Sequence, residues 1–279
     1  MTESSFGELA LLFVDRQDVK FWETEGPRYN HLYWVRAMLS EQAEPPLRVD
    51  RAVVRPQSEA DSLRFACARR EAYGFLARAF EYPTDAFLAD ITTPAYVEAL
   101  AASFRQLANN DDVNEGLTLW SQIAVSGGAL IGEYGLSPLR TAYTRLIYDT
   151  NLPFVPPYES VYCNERRVMG KPAGAVADDY RAAGLGIEGA EMPDHIALEC
   201  EFVALLAGRE ADAWQAGQRE EARQILATTN RFLSEHVLSW GGKFCADLLA
   251  LAQVDFYRAV ARLGAGLFND ERLRLETTE

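Results

Sequence analysis

From Ser58 onward, apolar residues recur at three- and four-residue spacing, and prolines cut that pattern into lengths suited to packed helices. The first segment opens on Ser58-Glu-Ala-Asp and carries Leu63, Ala66, Cys67, Tyr73, Leu76, Ala77 and Phe80 on one face. It ends at Tyr82-Pro83, because a residue before proline avoids the helical region. Further amphipathic stretches are expected at 94–108, 113–133, 138–149, 173–183, 193–215, 218–238 and 243–263. No alternating strand series and no fixed-length repeat interrupts them. The expected fold class is all-α: a single-domain helical bundle over residues 58–268, followed by an acidic tail at 269–279. Residues 1–57 read differently. They hold two apolar runs, Leu9–Val14 and His31–Leu39, around the turn-like Trp22–Pro27, and the proline-rich stretch before Ser58 reads as a linker. They are expected to form an N-terminal appendage.

Charge and cysteine usage exclude several functions. Asp and Glu number 41 against 27 Lys and Arg, a formal charge of -14, which repels phosphate backbones and argues against a nucleic-acid partner. The four cysteines, Cys67, Cys163, Cys200 and Cys245, never form a C-x-x-C pair, and three lie in apolar runs where a thiol packs as a small hydrophobe. The N-terminal residues lack the basic start of a secretory signal, and no run is long enough to cross a bilayer, so a cytoplasmic location is expected without stable membrane insertion.

Two glycine motifs fail on context. Gly184-Leu-Gly-Ile-Glu-Gly189 matches a dinucleotide fingerprint but follows a helix, where the fingerprint needs a preceding strand; a helix C-cap and turn is the simpler reading. Gly127–Gly132 lacks the Lys-Ser/Thr of a phosphate loop. Only three histidines are present, His31, His195 and His236, none in an H-x-x-x-H pair, so no metal site and no catalytic pairing are expected.

Three segments carry the remaining information. Val155-Pro-Pro-Tyr-Glu-Ser-Val-Tyr162 stiffens the backbone around Tyr158, Glu159 and Ser160, which suits either a presented recognition loop or a packed connector. In Met192-Pro-Asp-His-Ile-Ala-Leu-Glu-Cys-Glu-Phe202, Pro193 and Asp194 suit a first helical turn, and His195 and Glu199 stand four apart. Asp194 as a cap and His195 as a hydrogen-bonded packing residue account for the same pattern. Phe232, His236 and Trp240 recur at four-residue spacing and read as core.

In this order and spacing, P-P-Y-E-S-V-Y, then Y-R-x-x-G-L, then P-D-H-I-A-L-E-x-E-F, then F-L-x-x-H-x-x-x-W-x-x-x-F, the chain resembles the TorD/DmsD family of redox-enzyme maturation chaperones, related to NarJ. The upstream Tyr143–Tyr148 fits the family's aromatic helix before the proline loop, and the likeness spans roughly residues 58–263. The resemblance implies a binding protein rather than an enzyme. Its partners would be the apo form of a molybdenum-cofactor oxidoreductase and that enzyme's twin-arginine leader peptide. It would assist cofactor insertion and proofread the client before export. The alternatives are a nucleotide-hydrolysing maturation factor and a structural subunit of the mature oxidoreductase. It implies no resident cofactor beyond weak GTP binding reported for some members, and either a monomer or a helix-swapped dimer. Asp194 and His195 match the family's P-D-H element, and Tyr158, Glu159 and Ser160 its proline-loop element, both implicated in client recognition. A leader's arginines need paired carboxylates beside an apolar surface. Glu159, Asp194, Glu199 and Glu201 are the candidate acceptors, with Leu198 and Phe202 as the floor of a groove. Residues 1–57 exceed what the resemblance leads one to expect and would encode client specificity.

Overall fold

The computed structural model describes residues 11–13, 54–91, 93–125, 137–163, 170–187 and 191–276. It is an all-α bundle, as the periodicity requires. α1 (Glu59–Ala79) is set by its first turn: Ser58 Oγ accepts from Asp61 N at 3.1 Å, and Phe80 closes the far end onto Leu76 O. Pro94 opens α3 (Pro94–Leu107) behind the Thr93 cap, after the short α2 (Asp85–Ile91). α4 (Asp111–Val125) and α5 (Ser137–Ile147) follow. The proline stretch then runs without regular structure to the single turn α6 (Glu159–Tyr162). α7 (Lys171–Ala182) leads through Gly184, in the left-handed region at φ 78°, to a three-residue strand, β2 (Leu185–Ile187). α8 (Ile196–Gln215) and α9 (Arg219–Phe232) come next. α9 passes through a π-helical turn, Leu233–Val237, into α10 (Leu238–Leu251), and α11 (Asp255–Glu276) completes the bundle.

α1 lies along α8, and α9 flanks α8. α11 packs on α4 and α10. The contact between α11 and α4 is a close one. A Cβ on Gly116 would stand 2.9 Å from Leu263 Cγ, and one on Gly266 2.5 Å from Asn110 Oδ1. Glycine at both positions is what lets α4 and α11 approach. Phe75 centres the largest aromatic cluster, edge-on to Trp120 at 4.8 Å and to Phe104 at 6.2 Å.

Several expectations are corrected. The 193–215 helix begins at Ile196, with Pro193 and Asp194 in a turn and His195 as the cap. The 243–263 helix is two helices, since Ala252 is extended and breaks the run. The expected acidic tail begins as the last turns of α11: Glu271 and Arg274 are buried and ion-paired, and buried Asp270 accepts from Asn109 N and Asn110 Nδ2, so this charge serves the interior. Of the N-terminal appendage, Leu11–Phe13 forms β1, antiparallel to β2 with Leu12 opposite Gly186. The remainder of 1–53 and the Gly127–Gly132 motif lie outside the described residues. The Gly184 motif runs helix, turn, strand, the reverse of a dinucleotide fold.

Candidate functional site

The proline loop and the start of α8 are joined backbone to backbone. Tyr158 and His195 face each other as an antiparallel bridge. Glu159 N donates to Asp194 O at 2.9 Å, and Ile196 N donates to Pro157 O at 2.9 Å. The Asp194 side chain ties the same junction, accepting from Ser160 N at 2.9 Å. His195 caps α8, its Nδ1 accepting from Ala197 N at 3.1 Å. That role needs a neutral ring, and burial lowers the His195 pKa to about 4, against a smaller opposing effect of Glu191. The P-P-Y-E-S and P-D-H elements thus form one latch.

Eight of the nine candidate residues, all but Tyr158, are buried. Leu198 and Phe202 belong to the core, Phe202 lying 4.9 Å from Tyr180 and 4.7 Å from Phe232 between ring centroids. Glu201 is buried near enough to Tyr180 for its charge to help push that phenol up, after the larger effect of burial and that of Glu199. The structure makes the candidate carboxylates interior braces.

Those braces form a chain. Glu159 Oε2 stands 2.9 Å from His236 Nδ1, and His236 Nε2 stands 3.3 Å from Asp179 Oδ2 on α7. Asp179 is gripped by Arg231 through both carboxylate oxygens, at 2.7 and 3.2 Å. At the other end, Trp240 Nε1 donates to Glu199 Oε2 at 3.1 Å, while Glu199 Oε1 finds no donor among the described residues. Burial, then Glu159 and Asp194, push Glu199 far above the usual carboxylate range. A protonated Glu199 supplies the missing donor and faces Glu159 as an acid rather than as a second negative charge. His236 and Trp240 are core, as their spacing implies.

The latch carries an exposed rim. Tyr158, half-buried, sets its ring edge-on to His195 at 5.3 Å and donates its hydroxyl to Glu191 Oε1 at 3.0 Å. Tyr143 stands between Tyr148, at 5.8 Å, and Tyr82, at 5.6 Å. Tyr82, Tyr148 and Leu152 are the exposed large apolar side chains among the described residues, at 48%, 52% and 41%. Glu81 and Glu191 are close enough that, after burial, Glu191 is the main influence raising the Glu81 pKa. Glu81 and Glu191 and the exposed Tyr82 and Tyr148 therefore border one region. Sequence reasoning missed this rim, because its members lie far apart in the chain; aromatic residues at helix ends were the available signal.

Residues 98–246, over half the chain, match the model of the nitrate reductase delta subunit family. The chain belongs to this family. The latch and the acid chain fall within the matched segment. The chain also resembles the chaperone protein TorD of Vibrio cholerae serotype O1, strains M66-2 and ATCC 39541, at 30% identity over 121 residues in each case. The match covers 42% of this chain and 52% of each relative. The chain therefore spans about half the length of the curated relatives it matches. Family membership agrees with the likeness read from the four ordered motifs. No helix among the described residues is long and apolar enough to cross a membrane.

Proposed function

We propose that this chain is a maturation chaperone. In this reading it binds the apo form of a molybdenum-cofactor oxidoreductase by that enzyme's twin-arginine leader peptide, and it assists cofactor insertion and proofreading in the cytoplasm. The observation that carries the reading is the rim. Exposed Tyr82 and Tyr148 stand with Glu81 and Glu191, whose mutual repulsion an incoming guanidinium would relieve. A leader offers adjacent arginines followed by an apolar stretch, the complementary chemistry. Aromatic faces also receive guanidinium groups, as Arg140 already does over Tyr82 at 5.8 Å. The latch residues Tyr158, Glu159, Ser160, Asp194 and His195 act by holding the rim in place. Only Tyr158 among them reaches the peptide.

The test is fluorescence anisotropy with a labelled leader peptide bearing two adjacent arginines. We expect Glu191→Gln and Tyr148→Ala each to weaken binding by roughly tenfold, and replacement of the peptide's arginines by lysine to do the same. Unchanged affinity in a Tyr82→Ala/Tyr148→Ala double variant would sink the assignment.

A further inference from the structure

A second cluster adjoins the latch through Glu159. Asp179 of α7 and Glu235 and His236 of the π-helical turn each offer a ligand atom, and these atoms all lie within 4.8 Å of one another. The local sequence gives no hint of this, since Asp179 is 57 positions before His236 and no ligand pair has metal-site spacing. Three features point past a simple ion pair. First, His236 is buried and its Nδ1 is held by Glu159 at 2.9 Å. A carboxylate behind one ring nitrogen is the arrangement that orients a histidine whose other nitrogen binds a metal. Second, the other ring nitrogen, Nε2, points into the cluster and stands 3.3 Å from Asp179 Oδ2. Third, the charges do not balance: Glu159, Asp179 and Glu235 surround the ring, and Arg231 is the one guanidinium hydrogen-bonded into the group among the described residues.

Arg231 bridges the same atoms a metal would. Its Nη1 donates to Glu235 Oε2 at 2.8 Å and its Nη2 to Asp179 Oδ1 at 2.7 Å. Its side chain is 46% exposed, and exposed ion pairs are weak enough to exchange. The π-helical turn also matters here. Widened turns of this kind recur at functional sites, and this one brings the adjacent residues 235 and 236 toward the same neighbour, α7.

We propose that Asp179, Glu235 and His236 form a zinc site for which Arg231 is the built-in competitor. One imidazole nitrogen and two carboxylates suit Zn²⁺, with water completing the tetrahedron, and disfavour Mg²⁺, which takes oxygen ligands. Zinc would replace the guanidinium as the bridge from α7 to the junction of α9 and α10.

The experiment is calorimetric titration of the full chain with ZnCl₂ at neutral pH, with MgCl₂ as the control. Expected is one zinc per chain with a dissociation constant on the order of micromolar, tightened several-fold by Arg231→Gln and weakened at least tenfold by Glu235→Gln. Both substituted side chains are exposed, so folding is not at stake in either variant. In a ¹⁵N imidazole spectrum, zinc should shift the His236 resonances and leave His195 unmoved. Absence of zinc binding at 100 μM overturns the proposal, as does equal affinity for Mg²⁺. So does a zinc affinity that neither variant alters, which would mark adventitious binding elsewhere.

Discussion

Two buried polar clusters brace this bundle, and they are built on opposite principles. Where α1, α8 and α11 meet, Arg69 forks onto Glu271 at 2.9 and 3.0 Å, Arg274 bonds the same carboxylate, and Glu210 faces Arg69 at 3.9 Å. Two arginines meet two glutamates. Arg274 also donates to Val54 O and Leu107 O, so the cluster stitches distant segments together. Beneath the latch, by contrast, Glu159 and Asp179 share one histidine, Asp179 alone of these acids holds an arginine, and the Asp194 and Glu199 side chains accept from Ser160 N and Trp240 Nε1 instead. The first cluster is balanced and serves the fold. The second is overloaded with acid and must recruit a proton, a cation or a movable arginine. That imbalance marks the half of the molecule where chemistry with partners is to be sought.

Breaking the balanced cluster should have the largest effect. Glu271→Ala leaves two buried guanidinium groups short of an acceptor, and we expect a loss of about 3–5 kcal/mol in urea denaturation. The Glu271 pKa, about 2, is set by burial, which raises it, and by Arg274 and Arg69, which together more than reverse that. A depressed carboxylate contributes stability that is present above its unfolded value of 4.5 and is lost as pH falls toward about 2. Acid unfolding of this half should therefore come late.

The latch should fail earlier. His195 is neutral when folded, with its pKa lowered from 6.5 to about 4 by burial, so the unfolded chain takes up its proton first. Stability is then full above pH 6.5 and declines as pH falls to about 4, by about 3 kcal/mol at ~1.4 kcal/mol per unit. His195→Asn, which can still cap α8, should flatten the stability profile across that window when melting is followed against pH. A profile with the same slope in the variant would assign the acid sensitivity elsewhere.

Glu199 should behave as the neutral partner it has become. Because its pKa is raised by burial and by Glu159 and Asp194, its stabilising form is the acid, and its contribution is lost as pH rises. Glu199→Gln keeps a donor toward Glu159. It should gain stability relative to wild type as pH rises above 4.5, where Glu199 of the unfolded chain ionises while the folded one stays an acid, read by melting against pH. Glu199→Ala should cost more at every pH. The smallest change in stability is expected at the rim, where Tyr82→Ala should stay within about 0.5 kcal/mol while leader affinity falls.

The helices were legible because their apolar faces repeat, and the motif order located both halves of the latch. Inside and outside were less legible. Asp194, Glu159 and Glu199 look like surface acceptors because such residues are rarely buried, and only the fold shows what pays for their burial. The break after Leu251 was hidden because Ala252 and Val254 continue the apolar spacing. The rim and the Asp179–His236 contact were invisible for a different reason. They join residues from separate helices, and no local pattern records which helix ends meet.

The π-helical turn fixes a length. An ordinary helix advances about 100° per residue, and a π-helical turn takes one residue more into about the same rotation. Rewinding residues 233–237 as an ordinary helix without shortening it would therefore swing everything beyond it by about that angle relative to α9. Trp240 would leave Glu199, and Phe244 would leave the Phe80 ring it meets edge-on at 5.2 Å. The interval between Phe232 and Phe244 should therefore tolerate a one-residue deletion inside the wide turn, which restores regular winding in place, and no gap elsewhere.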